Sequence, residues 1–225
     1  MNDPIYMQKD KTLISTSILA GDFGYLADVA KKIEQAGSDW LHVDIMDGQF
    51  VPNITMGHQA TAAINRATDL FLDVHLMIYN PFDYVERFVE AGADMITIHI
   101  EATEEVGETL KYIKRCNIKA GLAFNPETSS SMIPKYLDQC DMILLMTVHP
   151  GKGGQPFIPE VLEKVELTRG WIDKLKLPTL IEVDGGINAE TGALCKKAGA
   201  NILVSGTYLF EAPNMSQAIK DLRNG

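Results

Sequence analysis

Short apolar runs recur at regular intervals along this chain, and amphipathic segments separate them. The runs are rich in Val, Ile and Leu and are bounded by Gly, Pro and polar residues, which is typical of buried β-strands. Eight runs are predicted as strands, at residues 13–19, 40–45, 72–77, 95–98, 119–124, 142–148, 179–183 and 202–204. The segments between them repeat apolar residues three and four apart, as in helices with one buried face. Helices are predicted at residues 25–35, 81–90, 106–115, 133–139, 159–174, 190–197 and 215–222, and residues 48–70 are predicted to hold a loop before a short helix.

Strands and helices alternate in the order expected for an α/β fold with parallel strands and right-handed crossovers. Eight strand-helix units fit a closed barrel, so we predict a single (β/α)8 TIM-barrel domain over residues 1–225. Gly37, Gly92 and Gly199 each stand in a small-residue phrase before a strand and are predicted to end helices in the left-handed region. An open, doubly wound sheet is the second architecture that this order allows, and it too places ligands at the carboxyl ends of strands.

Composition narrows the range of functions. The formal charge of −10 and the absence of a Lys/Arg run argue against a nucleic-acid partner. Residues 1–11 lack a long apolar stretch and no segment approaches a membrane-spanning length, so we expect a cytoplasmic protein with no membrane partner. Cys116, Cys140 and Cys195 lack metal-binding or redox spacing and are expected to be buried thiols.

Histidine and aspartate residues stand within or at the end of several predicted apolar strands. His42 and Asp44 are two residues apart, so on a strand both side chains point to the same face. Asp73 and His75 repeat this spacing, and Asp184 closes a later apolar run. A half-buried polar stripe would explain one such pair, but isolated ionisable groups are costly to bury without a partner or a metal. We therefore expect His42, Asp44, His75 and Asp184 to share a site that suits a divalent ion such as Zn, Fe, Mn or Co.

Glycine-rich segments follow the last three predicted strands, at residues 151–154, 185–186 and 205–207. Glycine lets backbone N–H groups approach an anion closely, and the loops after the last two strands are the usual phosphate position in barrels. One such segment is more often a plain tight turn. The three together favour a phosphate cradle, and Ser17 and Met146 also fall near predicted strand ends.

With these motifs the chain resembles the ribulose-phosphate 3-epimerase family over nearly all its length. The matching phrases lie at residues 17–23, 42–48, 50–54, 73–77, 146–151, 153–155 and 182–186. By this resemblance, His42, Asp44, His75 and Asp184 bind one divalent metal, and Asp44 and Asp184 are the catalytic acid/base pair. The resemblance also implies that the protein forms homo-oligomers. Residues expected to contact substrate are Ser17, Met46, His75, Met77, Met146, Gly151, Gly153, Gly154, Asp184, Gly185, Gly186, Gly206 and Thr207.

The implied reaction is epimerisation at C3 of a ketose phosphate, with D-ribulose 5-phosphate and D-xylulose 5-phosphate as the expected pair. It requires two acid/base groups that flank the carbon, one removing a proton and one returning a proton to the opposite face. Asp44 and Asp184 are predicted to fill these roles, with one of them initially protonated. A metal would stabilise the enediolate between the two steps as a Lewis acid.

Some positions depart from the family pattern and leave other functions open. Lys152 stands where the family usually has an aromatic residue, and His149 replaces a more usual Asn, Asp or Glu. The phrase Asn-Pro-Glu-Thr at residues 125–128 also resembles allulose-6-phosphate 3-epimerases, which act on a six-carbon substrate. A non-catalytic sugar-phosphate binding barrel and a metal-dependent aldolase are alternatives of other classes. Asp47 is predicted to cap a loop, and His99 and His149 are left out of the ligand set.

Overall fold

The eight apolar runs form parallel strands that close into a barrel in the computed structural model, which describes residues 11–225. Each strand pairs with the next along the chain, and β8 pairs with β1 to complete the circle. This arrangement confirms the predicted TIM barrel. The strands are β1 (Leu13–Ser17), β2 (Trp40–Met46), β3 (Phe71–Met77), β4 (Met95–His99), β5 (Lys119–Phe124), β6 (Met142–Met146), β7 (Leu180–Asp184) and β8 (Ile202–Ser205).

The helices surround the barrel and bury one apolar face each against it. Their inner faces and the outward-facing strand residues, such as Ile98 and Leu145, make one continuous core outside the barrel wall. A smaller apolar cluster fills the bottom of the barrel interior and includes Leu13, Trp40 and Leu180. The helices are α1 (Leu26–Ala36), α2 (His58–Asn65), α3 (Val85–Glu90), α4 (Val106–Arg115), α5 (Val161–Leu175), α6 (Ala189–Ala198), α7 (Thr207–Glu211) and α8 (Met215–Asn224).

The pairing register sets which side chains meet inside the barrel. His42 lies opposite Asp73 in the β2–β3 pair, and Asp44 lies opposite His75. Because side chains alternate between the two faces of a strand, these polar residues all point into the barrel, whereas Val43 and Val74 join the outer core. The register therefore assembles a polar layer above the apolar base.

Several predicted boundaries differ from the structure for local reasons. The first strand ends at Ser17, since Ile18–Ala20 turns into a 3-10 helix, and Pro81–Tyr84 forms a 3-10 turn ahead of α3. The helix predicted at residues 133–139 is wrong: a 3-10 segment, Ser130–Lys135, takes its place and contains Pro134. Proline lacks the N–H that an α-helix needs in its interior. Helix α7 was not predicted.

The predicted conformation of the glycine caps and the predicted burial of the cysteines agree more closely with the structure. Gly37, Gly92 and Gly199 have φ of 90°, 92° and 113°, which confirms the left-handed positions before the strands. Cys140 and Cys195 are buried, whereas Cys116 is only partly buried.

Two predictions include residues that the structure does not describe. The expected lack of an apolar leader falls on residues 1–11, of which residues 1–10 lie outside the described residues. For the same reason, one domain over residues 1–225 stays a prediction. None of the helices in residues 11–225 combines the length and apolar character that crossing a bilayer requires.

Gly121 on β5 allows the polar layer to pack, and its replacement by alanine should destabilise the barrel. The new methyl would lie 2.2 Å from Thr97 Oγ1, whose hydroxyl donates to Asp73. We expect Gly121→Ala to lower the free energy of unfolding by about 1–3 kcal/mol, as is usual for overpacked cores. Gly170→Ala on α5 is the matched control, since its methyl meets nothing within 4 Å. In urea unfolding it should stabilise by about 0.5–1 kcal/mol, and equal effects of both variants would contradict the packing argument.

Candidate active site

Four side chains from three strands converge inside the barrel near the carboxyl ends of the strands. β2 supplies His42 and Asp44, β3 supplies His75, and β7 supplies Asp184. Asp44 Oδ1 lies 3.2 Å from His42 Nε2 and 3.1 Å from His75 Nδ1. Asp184 Oδ2 lies 3.9 Å from His42 Nε2. One ligand atom from each of the four lies within 4.8 Å of the others.

These distances fit a shared divalent cation. Ligands at about 2.0–2.1 Å in a tetrahedron are separated from one another by about 3.3 Å. The distances from Asp44 Oδ1 to His42 Nε2 and His75 Nδ1 are 3.2 and 3.1 Å, and the two ring nitrogens are 3.3 Å apart, so all three lie close to that value. Two imidazoles and two carboxylates are also a donor set that Zn, Fe, Mn and Co accept. The cluster is therefore able to bind a metal.

The two carboxyl groups of the cluster differ in charge. Burial raises the pKa of Asp44, but His42 and His75 outweigh it and hold the net pKa well below its ordinary value. Burial and the negative charge of Asp44 raise the pKa of Asp184 to about 7. Near neutral pH and without a cation, Asp44 is therefore ionised while Asp184 is substantially protonated.

The pKa values of the two histidines are shifted in opposite directions. Burial opposes a charge on both rings, but Asp44 and Asp73 raise the pKa of His42 well above its ordinary value. For His75 burial prevails, and its pKa is lowered despite the nearby Asp44.

Buried acids support the cluster from below. His42 Nδ1 lies 2.6 Å from Asp73 Oδ2, so Asp73 holds the ring with Nε2 facing the cluster. Thr97 Oγ1 donates to the other oxygen of Asp73 over 3.3 Å. Glu182 Oε1 lies 4.0 Å from His42 Nδ1, and burial together with Asp73 raises the pKa of Glu182 well above its ordinary value.

A cavity of about 620 Å³ opens above the cluster, and Asp44 and Asp184 form part of its floor. Ser17 Oγ donates to Asp44 Oδ2 over 2.8 Å at one side. Met46 and Met77 pack together on the floor and are almost fully buried. The cavity is large enough for a small phosphorylated sugar.

Glycine-rich loops form the wall of the cavity opposite the methionines. Gly185 and Gly186 have φ of 121° and 64°, a conformation that side chains other than glycine rarely adopt. A methyl at Gly153 or Gly154 would lie 3.6 or 3.7 Å from Thr207 Oγ1, so the loops after β6 and β8 face each other closely. These glycines line the cavity, and glycine-rich backbone of this kind can bind an anion.

Comparison with known proteins identifies the family. Residues 13–210 match the Ribulose-phosphate 3 epimerase family. The chain is 51% identical over 217 residues to a ribulose-phosphate 3-epimerase from Chlamydia pneumoniae, covering 96% of this chain and 95% of that relative. It is 45% identical over 211 residues to the Bacillus subtilis (strain 168) enzyme of the same name, covering 93% and 97%. The chain belongs to the ribulose-phosphate 3-epimerase family.

More distant structures share only the fold of this ribulose-phosphate 3-epimerase family member. A crystal structure of 3-hexulose-6-phosphate synthase superposes with a TM-score of 0.68 at 17% identity, covering 95% of this chain and 98% of that one. At this identity the likeness concerns the barrel and not its chemistry.

Most of the residues predicted to contact substrate line the cavity of this family member. His75 is the exception: it is fully buried beneath the floor, as is the ligand candidate His42. The predicted residues found on the cavity wall are Ser17, Met46, Met77, Met146, Gly151, Gly153, Gly154, Asp184, Gly185, Gly186, Gly206 and Thr207.

Sequence reasoning left other contributors out. Asp73 shares a face of β3 with His75, and this spacing could have assigned it to the cluster. His99, which the ligand set excluded, lies 2.8 Å from His75. Asn188 lines the cavity and caps α6 in a capping box with Thr191, a pattern readable in the sequence.

The structure also places the residues whose roles were open. Asp47 accepts hydrogen bonds from the backbone of Gln49, Phe50 and Tyr79, which confirms the loop cap. Lys152 lines the cavity, whereas His149 pairs with Glu127 at the surface.

The Gly186 turn should be essential to the glycine-rich wall of the cavity, where we expect phosphate to bind. A methyl there would lie 2.7 Å from the backbone N of Phe157, and the left-handed φ adds roughly 1–2 kcal/mol of strain. We expect Gly186→Ala to weaken binding of sugar phosphate at least tenfold, measured by calorimetry. Gly57→Ala, whose methyl meets nothing within 4 Å, is the control and should bind normally. Unchanged affinity in Gly186→Ala would argue against this wall as the phosphate site.

Proposed function

We propose that this protein is an isomerase that interconverts D-ribulose 5-phosphate and D-xylulose 5-phosphate by epimerisation at C3. The observation that carries the proposal is similarity over nearly the whole chain to ribulose-phosphate 3-epimerases. The cavity agrees with it, because two carboxyl groups lie on its floor and glycine-rich loops line it.

His42, Asp44, His75 and Asp184 would hold one divalent ion, Zn, Fe, Mn or Co. When bound, the ion supplies Lewis-acid stabilisation of the negative charge that develops on the substrate oxygens. The protein's own contribution is to hold the four side chains in place, and Asp73 does this for His42.

Proton transfer falls to the two aspartates. Asp44 is the carboxylate that removes the C3 proton from one epimer, and Asp184 is the acid that returns a proton from the opposite face. In the reverse direction the roles exchange. The Ser17 hydroxyl, which donates to Asp44 Oδ2, is placed to orient Asp44 and to meet the substrate's polar groups.

The rest of the cavity positions the substrate. The Gly153, Gly154, Gly185, Gly186 and Gly206 backbone, with the Thr207 hydroxyl, would bind the phosphate at the far wall. Met46, Met77 and Met146 line the same cavity and would exclude water beside the planar intermediate, which strengthens electrostatic stabilisation there.

A second candidate is 3-epimerisation of D-allulose 6-phosphate to D-fructose 6-phosphate. The phrase at residues 125–128 favours it, and the chemistry is the same. One additional hydroxymethylene changes the required pocket length but not the catalytic groups. Homo-oligomer formation and a cytoplasmic location stay predictions from the sequence.

Solvent isotope exchange tests the proposed function directly. We expect the purified, metal-supplemented protein to incorporate deuterium at C3 of ribulose 5-phosphate in D2O and to form xylulose 5-phosphate, followed by NMR. Faster exchange and turnover with allulose 6-phosphate would assign the six-carbon substrate instead. Cleavage to smaller fragments would indicate an aldolase, and no exchange with either sugar would favour a binding protein.

Replacement of Asp184 by asparagine separates the two proton-transfer steps. We expect Asp184→Asn to reduce epimerisation about 10²–10⁴-fold, as for loss of a general acid/base group. Because Asp44 remains, C3 exchange without epimerisation should persist for one of the two epimers. Glu166→Gln, which changes an exposed carboxyl on α5 that does not line the cavity, is the control and should turn over normally. Near wild-type epimerisation by Asp184→Asn would refute the two-base mechanism.

A further inference from the structure

His75 has hydrogen-bonding partners at both ring nitrogens. Its Nδ1 faces the cluster, 3.1 Å from Asp44 Oδ1 and 3.3 Å from His42 Nε2. Its Nε2 points away, 2.8 Å from Nε2 of His99, the last residue of β4. His99 is fully buried and belongs to no ligand group in the described residues.

The contacts continue from His99 to a carboxylate. His99 Nδ1 lies 3.2 Å from Glu101 Oε2. The other oxygen of Glu101 accepts from the backbone N of Asn125 over 2.9 Å and from the Thr128 hydroxyl. Glu101 is thereby held against the loop that follows β5.

That loop is itself anchored. Lys164 on α5 donates through Nζ to the carbonyl oxygens of Asn125, Pro126 and Thr128, over 2.8, 2.9 and 2.7 Å. The Glu101 carboxylate therefore has a fixed position relative to β4, and its orientation toward His99 does not depend on a flexible surface side chain.

Proton counting gives this chain of contacts a direction. An ionised carboxylate only accepts hydrogen bonds, so His99 must carry its proton on Nδ1 to satisfy Glu101. A neutral His99 then has a lone pair on Nε2, which accepts from Nε2–H of His75. A neutral His75 with its proton on Nε2 has a lone pair on Nδ1, which a cation between His75, Asp44 and His42 requires. Without a cation, the ionised Asp44 competes with Glu101, because it favours a proton on His75 Nδ1.

We propose that Glu101 and His99 are positioning residues that fix the tautomer of His75, so that its Nδ1 is available to a divalent cation. This inference rests on the proposed function, because it concerns the same metal site. It gives His75 a support equivalent to that of His42, which has Asp73 directly at its outer nitrogen. For His75 the carboxylate acts through a second imidazole.

Packing alone does not account for the arrangement. The His75 and His99 rings stack with centroids 4.9 Å apart, and Phe50 packs on His99 with centroids 4.8 Å apart. These contacts hold the planes of the rings. They do not affect which nitrogen carries the proton, whereas the charge on Glu101 favours a proton on His75 Nε2 through His99.

Glu101→Gln tests the direction of the chain. The backbone N of Asn125 is a fixed donor, so the amide oxygen should face it and the amide NH2 should face His99 Nδ1. His99 would then carry its proton on Nε2 and donate to His75, which would move the His75 proton to Nδ1. We expect affinity for Zn2+ alone, measured by competition with a chromophoric chelator, to fall about 10–100-fold. Nitrogen-15 NMR of the metal-free proteins should show a larger fraction of His75 protonated on Nδ1 in the variant than in the wild type.

Thr128→Val is the matched control, since it removes the other side-chain contact to Glu101 but leaves the carboxylate. Wild-type Zn2+ affinity and tautomer are expected for it, and thermal unfolding verifies that both variants fold. Equal losses of affinity in the two variants would show that loop anchoring matters and would overturn the tautomer role. Unchanged affinity in Glu101→Gln would overturn it as well, with the proposed function intact. A wild-type protein that binds no Zn2+ would overturn the proposed metal site itself.

Discussion

The cost of burying ionisable groups inside the barrel is the constraint on which the rest of this structure depends. His42 and His75 have no exposed surface and Asp44 has almost none, although isolated groups of this kind are expensive to remove from water. Each has a partner of matching chemistry within hydrogen-bonding distance. The surrounding apolar side chains exclude water, which strengthens these contacts and makes any unpaired group more costly. The polar layer is therefore stable only as a complete set.

The register of the strands places each buried ionisable side chain beside its partner. The pairs His42–Asp73 and Asp44–His75 are direct neighbours in the β2–β3 ladder, so a slip of one strand by one residue would turn its two polar side chains into the outer core. The apolar residues between them fix the register because they must face the helices. Packing of the apolar residues outside the barrel thus fixes the strand register, and the register fixes the positions of the polar side chains inside it.

The sequence predicted the barrel from the local period of its strands and helices, and it predicted the four-residue cluster from that period, the cost of burying ionisable groups and the family resemblance. Alternation within strands placed His42 beside Asp44 and separated both from Val43. The support behind the cluster was not predictable in this way. His99 and Glu101 act on His75 across a strand boundary, and only the β3–β4 pairing brings them close. Local chemistry also decided the segment at residues 130–135, where Pro134 outweighs the helical period that was used to predict a helix.

Asp184 reaches the cluster from β7, whereas the other three ligand candidates come from the adjacent strands β2 and β3. Around the barrel, β8 and β1 lie between them, and at this seam the last strand pairs with the first. Closing that seam joins residues far apart in sequence, which is entropically the most demanding contact in the fold. An ion held by all four side chains would cross-link β7 to β2 and β3 on either side of this seam. Metal supply and the folded fraction of the chain would then be linked equilibria, so that scarcity of metal would reduce the amount of intact protein as well as its turnover.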